Sequence, residues 1–145
     1  MATMVDWKSL APYPVVQDEK VRWSDTDGNR HVNNVAFSFF YEAGRAAIVL
    51  ETPNLLEPDC FFVIISTTIE FLGELNYPGI VQVANGIEKV GNSSITVRQA
   101  LFQDGKCASI SYSTLAQLHS TTRSGHPLSA STRDYLESVK IRGIQ

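Results

Sequence analysis

After Asn34 the chain runs apolar to Leu50, and its only clearly polar side chains are Ser38, Glu42 and Arg45, four and three residues apart. At 3.6 residues per turn these three share one helical face. A surface helix carries one apolar stripe; this segment carries one polar stripe, which predicts a helix over Asn34–Leu50 packed on most of its sides. Asn33 or Asn34 can cap its start, and Pro53 lies just past its end.

The period then changes. Phe61–Phe71 is rich in β-branched and aromatic residues, and Ile80–Val90 follows the turn signal Asn76-Tyr77-Pro78-Gly79. Gly91-Asn92 precedes a strand over Ser94–Phe102, and Asp104-Gly105 is a hairpin turn. In the last strand Ala108, Ile110, Tyr112, Thr114, Ala116 and Leu118 occupy one face, with Ser109, Ser111 and Ser113 on the other. Residues 1–17 read as an extended lead-in, Lys20–Ser24 as a short strand, and Thr132–Lys140 as a tail helix capped by Ser131 with Asp134 three residues on. Consecutive strands joined by tight turns imply an antiparallel meander. The expected fold class is α+β: one domain over residues 1–145, a long central helix wrapped by a curved, mostly antiparallel sheet of about five strands.

A formal charge of −3 without any Lys/Arg cluster excludes an electrostatic footprint for nucleic acid. Cys60 and Cys107 have neither disulfide-scaffold density nor metal-ligand spacing. The start of the chain has no basic segment leading into an apolar run. The apolar stretch Val35–Leu50 is short for a bilayer and carries Glu42 and Arg45. A cytoplasmic protein with no membrane segment is expected.

The chemistry concentrates in residues 23–35, Trp-Ser-Asp-Thr-Asp-Gly-Asn-Arg-His-Val-Asn-Asn-Val, directly ahead of the helix. A helix start offers unpaired N–H groups and a positive dipole end. A carboxylate beside such donors suits attack on a carbonyl. Asp27 is the candidate carboxylate, and amides around His31–Asn34 are the candidate oxyanion donors. Asn29 would orient substrate or water, and His31 would hold a proton or fix the loop. Asp25 reads as a turn-forming carboxylate. Asn33 and Asn34 read as cap and loop residues, and Glu42 with Arg45 as an i,i+3 pair. There is no Gly-x-Ser-x-Gly turn and no phosphate-binding Gly-x-x-x-x-Gly-Lys loop. Asp25, Asp27 and His31 lack a second ligand cluster, so no metal or cofactor is expected.

The series Asp25-Thr26-Asp27, His31-Val32-Asn33-Asn34, Tyr41-Glu42 and Arg45 resembles the hotdog-fold thioesterases of the 4-hydroxybenzoyl-CoA thioesterase type. The likeness continues through Ile69-Glu70-Phe71, Tyr77-Pro78-Gly79, Gly91-Asn92-Ser93-Ser94 and Gly125-His126-Pro127-Leu128. The spacing Asp27-x-Asn29-x-His31 is also similar to the active-site stretch of acyl-ACP thioesterases, which places Glu74 as a fourth catalytic residue, with Glu70 nearby. The resemblance implies hydrolysis of an acyl-CoA or acyl-ACP thioester, in a homodimer or homotetramer. Either Asp27 or Glu74 would serve as base or nucleophile. Asn33, Arg30, Phe37, Phe40 and Ser93 are the implied substrate contacts; Arg30 stands where many such enzymes hold Gly. A different class stays open beside it, a non-catalytic acyl-thioester binder on the same fold.

Overall fold

A computed structural model describes residues 4–143. Its five strands are β1 (Val15–Lys20), β2 (Cys60–Phe71), β3 (Ile80–Val90), β4 (Ser94–Gln103) and β5 (Lys106–His119). All neighbours pair antiparallel in the order β1-β3-β4-β5-β2. The register shifts at Ile64/Ser66, Ile87/Lys89 and Leu101/Phe102. Each shift adds a local bend and twist, and together they curl the sheet.

The helix lies in that concavity. It runs as α1 (Asn34–Arg45) and continues as one wider turn, Ala46–Leu50, so the expected limits hold. Phe37, Tyr41, Gly44 and Ile48, spaced for one helical face, are buried. Gly44 sets the approach: a Cβ there would stand 2.1 Å from Asn85 Oδ1 and 2.6 Å from Gln99 Nε2. Gln99 Nε2 donates to the Tyr41 carbonyl and to Asn85 Oδ1, both at 2.8 Å. Tyr41 Oη donates to Ser109 Oγ at 2.6 Å, which donates on to the Glu70 carbonyl.

Four expectations need correction. The strands form no simple meander: only β3, β4 and β5 are consecutive neighbours, while β1 pairs with β3 and β2 crosses over to pair with β5 at the far edge. The helix is not enclosed on most sides, because the sheet covers one face, chiefly through β3 and β4, and leaves Val35, Phe39 and Leu50 exposed. The first strand is Val15–Lys20 rather than Lys20–Ser24. It starts inside the predicted lead-in, and Asp25 instead folds Trp23–Asp25 into a 3₁₀ turn by accepting the Arg22 N–H at 2.8 Å. The tail helix α2 spans Ala130–Ser138, because Ser129, not Ser131, accepts the Thr132 N–H at 3.1 Å.

The strand periodicity also has an unexpected sense. The serine face of β5 turns to the helix, and its apolar face turns outward. Residues of the lead-in cover part of that outer face: Tyr13 packs with Ala84, Ala100, Phe102 and Ile141, joined by Trp7 and Leu10. The first three residues of the predicted lead-in lie outside the described residues. Edge strand β2 keeps Ile64, Ile65 and Phe71 exposed.

Candidate active site

The polar loop is held by backbone bonds at both ends. Asp27 N–H donates to the His31 carbonyl at 2.9 Å, and Asn33 N–H to the Asp25 carbonyl at 2.8 Å. The loop is then stitched to the β2–β3 connection, where Val32 N–H donates to Leu75 and Tyr77 N–H to Arg30, each at 2.8 Å. Between these ties the chain turns through Gly28 at φ 91° and Arg30 at φ 65°. The second value lies in the left-handed region, which costs a side chain a strain that Gly lacks.

This stitching brings Asp27, His31, Asn33, Asn34, Phe37 and Glu74 around one cavity of about 390 Å³ at the start of α1. His31 Nδ1 lies 3.1 Å from Asn76 Oδ1 and 3.3 Å from Glu74 Oε2. Both partners are acceptors, so the pair of contacts places a proton on Nδ1 and leaves Nε2 facing elsewhere. Asp27 Oδ1 accepts the Asn29 N–H at 2.8 Å, an Asx turn that fixes the carboxylate's orientation.

The amides of the helix start divide into two sets. Those of Val32 and Asn33 are used as above; Val35 N–H goes to Asn33 Oδ1 at 2.9 Å and Ala36 N–H to the Asn33 carbonyl at 2.8 Å. Among the described residues, no partner takes the N–H groups of His31 or Asn34, and both residues line the cavity. Asn33 is therefore the N-cap as well as a lining residue.

Not every expected residue arrives. Glu70 lies opposite Ile110 on the outer sheet face, whereas Glu74 reaches the cavity. Asn29 meets Asp27 through its backbone, and its side chain does not line the cavity; nor does that of Arg30. Phe40 lies on the other flank of the helix, beside Lys20 and Arg22. Ser93 sits at the β3–β4 turn, where its carbonyl accepts the Gln117 N–H, at the opposite end of β5 from the cavity. Arg45 forms no ion pair with Glu42 and donates instead to Gln99 Oε1 at 3.3 Å.

Two contributors escaped the sequence reading. Asn76 read only as a turn signal. Gln103 carried no signal at all, yet its side-chain amide brackets Asn76, accepting its N–H at 2.8 Å and donating to its carbonyl at 2.9 Å. That clamp fixes the segment bearing Glu74. Among the described residues, no group of three or more His, Cys, Asp or Glu is arranged to hold a metal ion, and no helix is long and apolar enough to cross a membrane.

A helix laid in a curled five-stranded antiparallel sheet, with a polar loop at the helix start, defines the hotdog fold. Residues 21–138 match the model of the thioesterase-like superfamily, and the chain belongs to that family. Solved structures agree. A predicted thioesterase from Bacillus stearothermophilus is 28% identical with a TM-score of 0.77, covering 86% of this chain and 95% of its own. A thioesterase from Thermus thermophilus, complexed with coenzyme A and Zn, is 23% identical at TM-score 0.77, covering 89% and 96%. A Pseudomonas aeruginosa protein reaches TM-score 0.81 at 19% identity over 92% and 96%. The last two likenesses show the fold alone. No curated protein matches the chain significantly.

Proposed function

We propose that this protein hydrolyses an acyl thioester, with Asp27 as the base that activates water. The observation that carries the reading is the single cavity shared by Asp27, Glu74, His31 and the two unengaged amides of His31 and Asn34. Membership of the thioesterase-like superfamily supports the same reaction class.

A thioester needs little help with its leaving group, because a thiol titrates near ~8.5. The demand falls on nucleophile and oxyanion. Water attacks the carbonyl carbon as its proton passes to Asp27, and the new oxyanion accepts from the His31 and Asn34 N–H groups. Collapse breaks the C–S bond, and the proton held by Asp27 moves to the thiolate. Glu74 orients His31 through Nδ1, and the imidazole steadies the loop and the adjacent charge. Phe37 gives the acyl group its first apolar contact.

Coenzyme A is the carrier we favour, because the Thermus thermophilus thioesterase of the same fold is complexed with it. Acyl carrier protein is the other carrier to test. We also propose a homodimer, built on β2, since Glu74 and His31 have side chains 70% and 47% exposed in one chain. Carbonyl chemistry benefits from a drier site.

The test is a panel of acyl-CoA and acyl-ACP thioesters read with a thiol-detecting reagent. Wild type releases thiol, and Asp27→Ala lowers kcat by about a hundred- to ten-thousandfold, the usual worth of a general base. Tight binding without thiol release across the panel would instead show a sequestering module. Full activity in Asp27→Ala would remove the catalytic assignment.

A further inference from the structure

The loop that bears His31 and the connection that bears Asn76 meet as an isolated antiparallel bridge. Its flanking bonds run from Val32 N–H to the Leu75 carbonyl and from Tyr77 N–H to the Arg30 carbonyl. His31 and Asn76 are therefore a non-hydrogen-bonded pair, the closer of the two antiparallel pairings, with their side chains on one face. The same geometry turns the backbone polar groups of each residue away from the other. On the His31 side, its carbonyl accepts the Asp27 N–H, and its N–H is one of the two unengaged amides. On the Asn76 side no strand follows, and its N–H and carbonyl take no backbone partner among the described residues.

Gln103, at the end of β4, fills that place. Its side chain, only 8% exposed, accepts the Asn76 N–H at 2.8 Å and donates to the Asn76 carbonyl at 2.9 Å, as a paired residue of a further strand would. Gly79 leaves the room for it, since a Cβ there would stand 2.6 Å from Gln103 Nε2. The Asn76 side chain then meets the His31 ring. Glu74 can only accept, so Nδ1 donates, and Asn76 presents its oxygen to the same hydrogen. The two acceptors are held unequally. The Glu74 side chain is 70% exposed, whereas Asn76 is clamped through its own backbone by a buried amide.

We infer that Gln103 is a positioning residue of the thioesterase site: through Asn76 it holds the His31 ring in the Nδ1–H tautomer and keeps the His31 amide in register beside Asp27. Neither Asn76 nor Gln103 lines the cavity, so both act through His31. One row of hydrogen bonds thus links a buried side chain of β4 to a proposed oxyanion donor. This role rests on the thioesterase reading of the Asp27 cavity.

The test combines NMR of isotope-labelled ring nitrogens, at a pH where the imidazole is neutral, with kinetics on the fastest thioester of the panel. Wild type should show a protonated Nδ1 and a bare Nε2. Gln103→Met, close in size and without either hydrogen-bonding function, should shift the His31 ring toward the Nε2–H form that a free histidine prefers. It should lower kcat about tenfold and leave KM within about twofold, the pattern of a misplaced group rather than a lost substrate contact. Gly79→Ala keeps the amide but drives it off Asn76, so it should reproduce both changes, and it carries the test if Gln103→Met does not fold. Because Gln103 acts through Asn76, Gln103→Met combined with Asn76→Ala should be no slower than Asn76→Ala alone. A wild-type ring protonated on Nε2 overturns the inference. So does a fall in kcat with the tautomer unchanged, which marks a merely structural Gln103. Additive losses in the double variant, or a rise in KM with kcat intact, overturn it as well. If no thioester of the panel turns over in wild type, the hydrolase reading fails, and the NMR comparison alone decides whether Gln103 governs the ring.

Discussion

Arg30 carries the main departure from the family's pattern, and its geometry accounts for it. The residue holds φ at 65°, and its carbonyl anchors Tyr77 while its side chain stays out of the cavity. The backbone job of the family's glycine is done with a modest strain and no obstruction. Arg30→Gly should therefore leave kcat within a fewfold of wild type, measured on whichever thioester of the panel turns over fastest. Glu74→Gln should keep the contact to His31 Nδ1 without the charge, costing about tenfold in kcat, less than Asp27→Ala. Tyr41 makes a third prediction. Burial pushes its hydroxyl, and that of Tyr13, well above the ordinary tyrosine range. The folded state thus holds protons that the unfolded chain releases near pH ~10. Their contribution is complete below that pH and is lost as pH rises above it, so denaturant midpoints should fall steeply on the alkaline side. In Tyr41→Phe that fall should be shallower.

The elements were legible to different degrees, for local reasons. The helix, β3 and the Asp104-Gly105 hairpin are decided by periodicity and turn chemistry within a short window, and they fall where the pattern puts them. The cap of α2 is not legible locally, because Ser129 and Ser131 are chemically equivalent in sequence, and only the path out of the β5 loop selects Ser129. Ser129→Ala should destabilise by about 1 kcal/mol and Ser131→Ala by little, by chemical denaturation. The inward face of β5 ran against the simple rule that apolar residues point to the core. Its serines sit under a helix whose Tyr41 donates its hydroxyl to Ser109, and that helix approaches β3 and β4 closely at Gly44. Gly44→Ala would drive a methyl group into Asn85 and Gln99. We expect a loss of about 1–3 kcal/mol, read as a lowered melting temperature.

At the level of the whole molecule, the exposed apolar surface is the outstanding feature. Ile64, Ile65 and Phe71 on the β2 edge, together with Val35 and Phe39 on the helix, form surface that isolated proteins seldom leave open. A second chain meeting β2 edge to edge would cover the β2 residues. Ile65→Lys, placed at the bulge where Ile65 pairs with nothing on β5, should shift the protein to monomer by light scattering. It should also depress turnover, because the Asp27 cavity would stay open to water.

The sequence by itself determined what local order can carry: the helix and its length, the strand segments with the turns between them, and the run of polar residues from Asp27 to Asn34 ahead of the helix. Asp27, His31 and the helix amides are neighbours along the chain, so their meeting needs no tertiary knowledge. The tertiary structure alone decided what comes from afar. It brought Glu74 to the cavity and turned Glu70 away, recruited Asn76 and Gln103 to hold His31, and sent Phe40 and Ser93 elsewhere, of which only the placing of Glu74 matches the resemblance. Those choices depend on sheet register and on the side to which the helix leans, and side-chain alternation is silent about both.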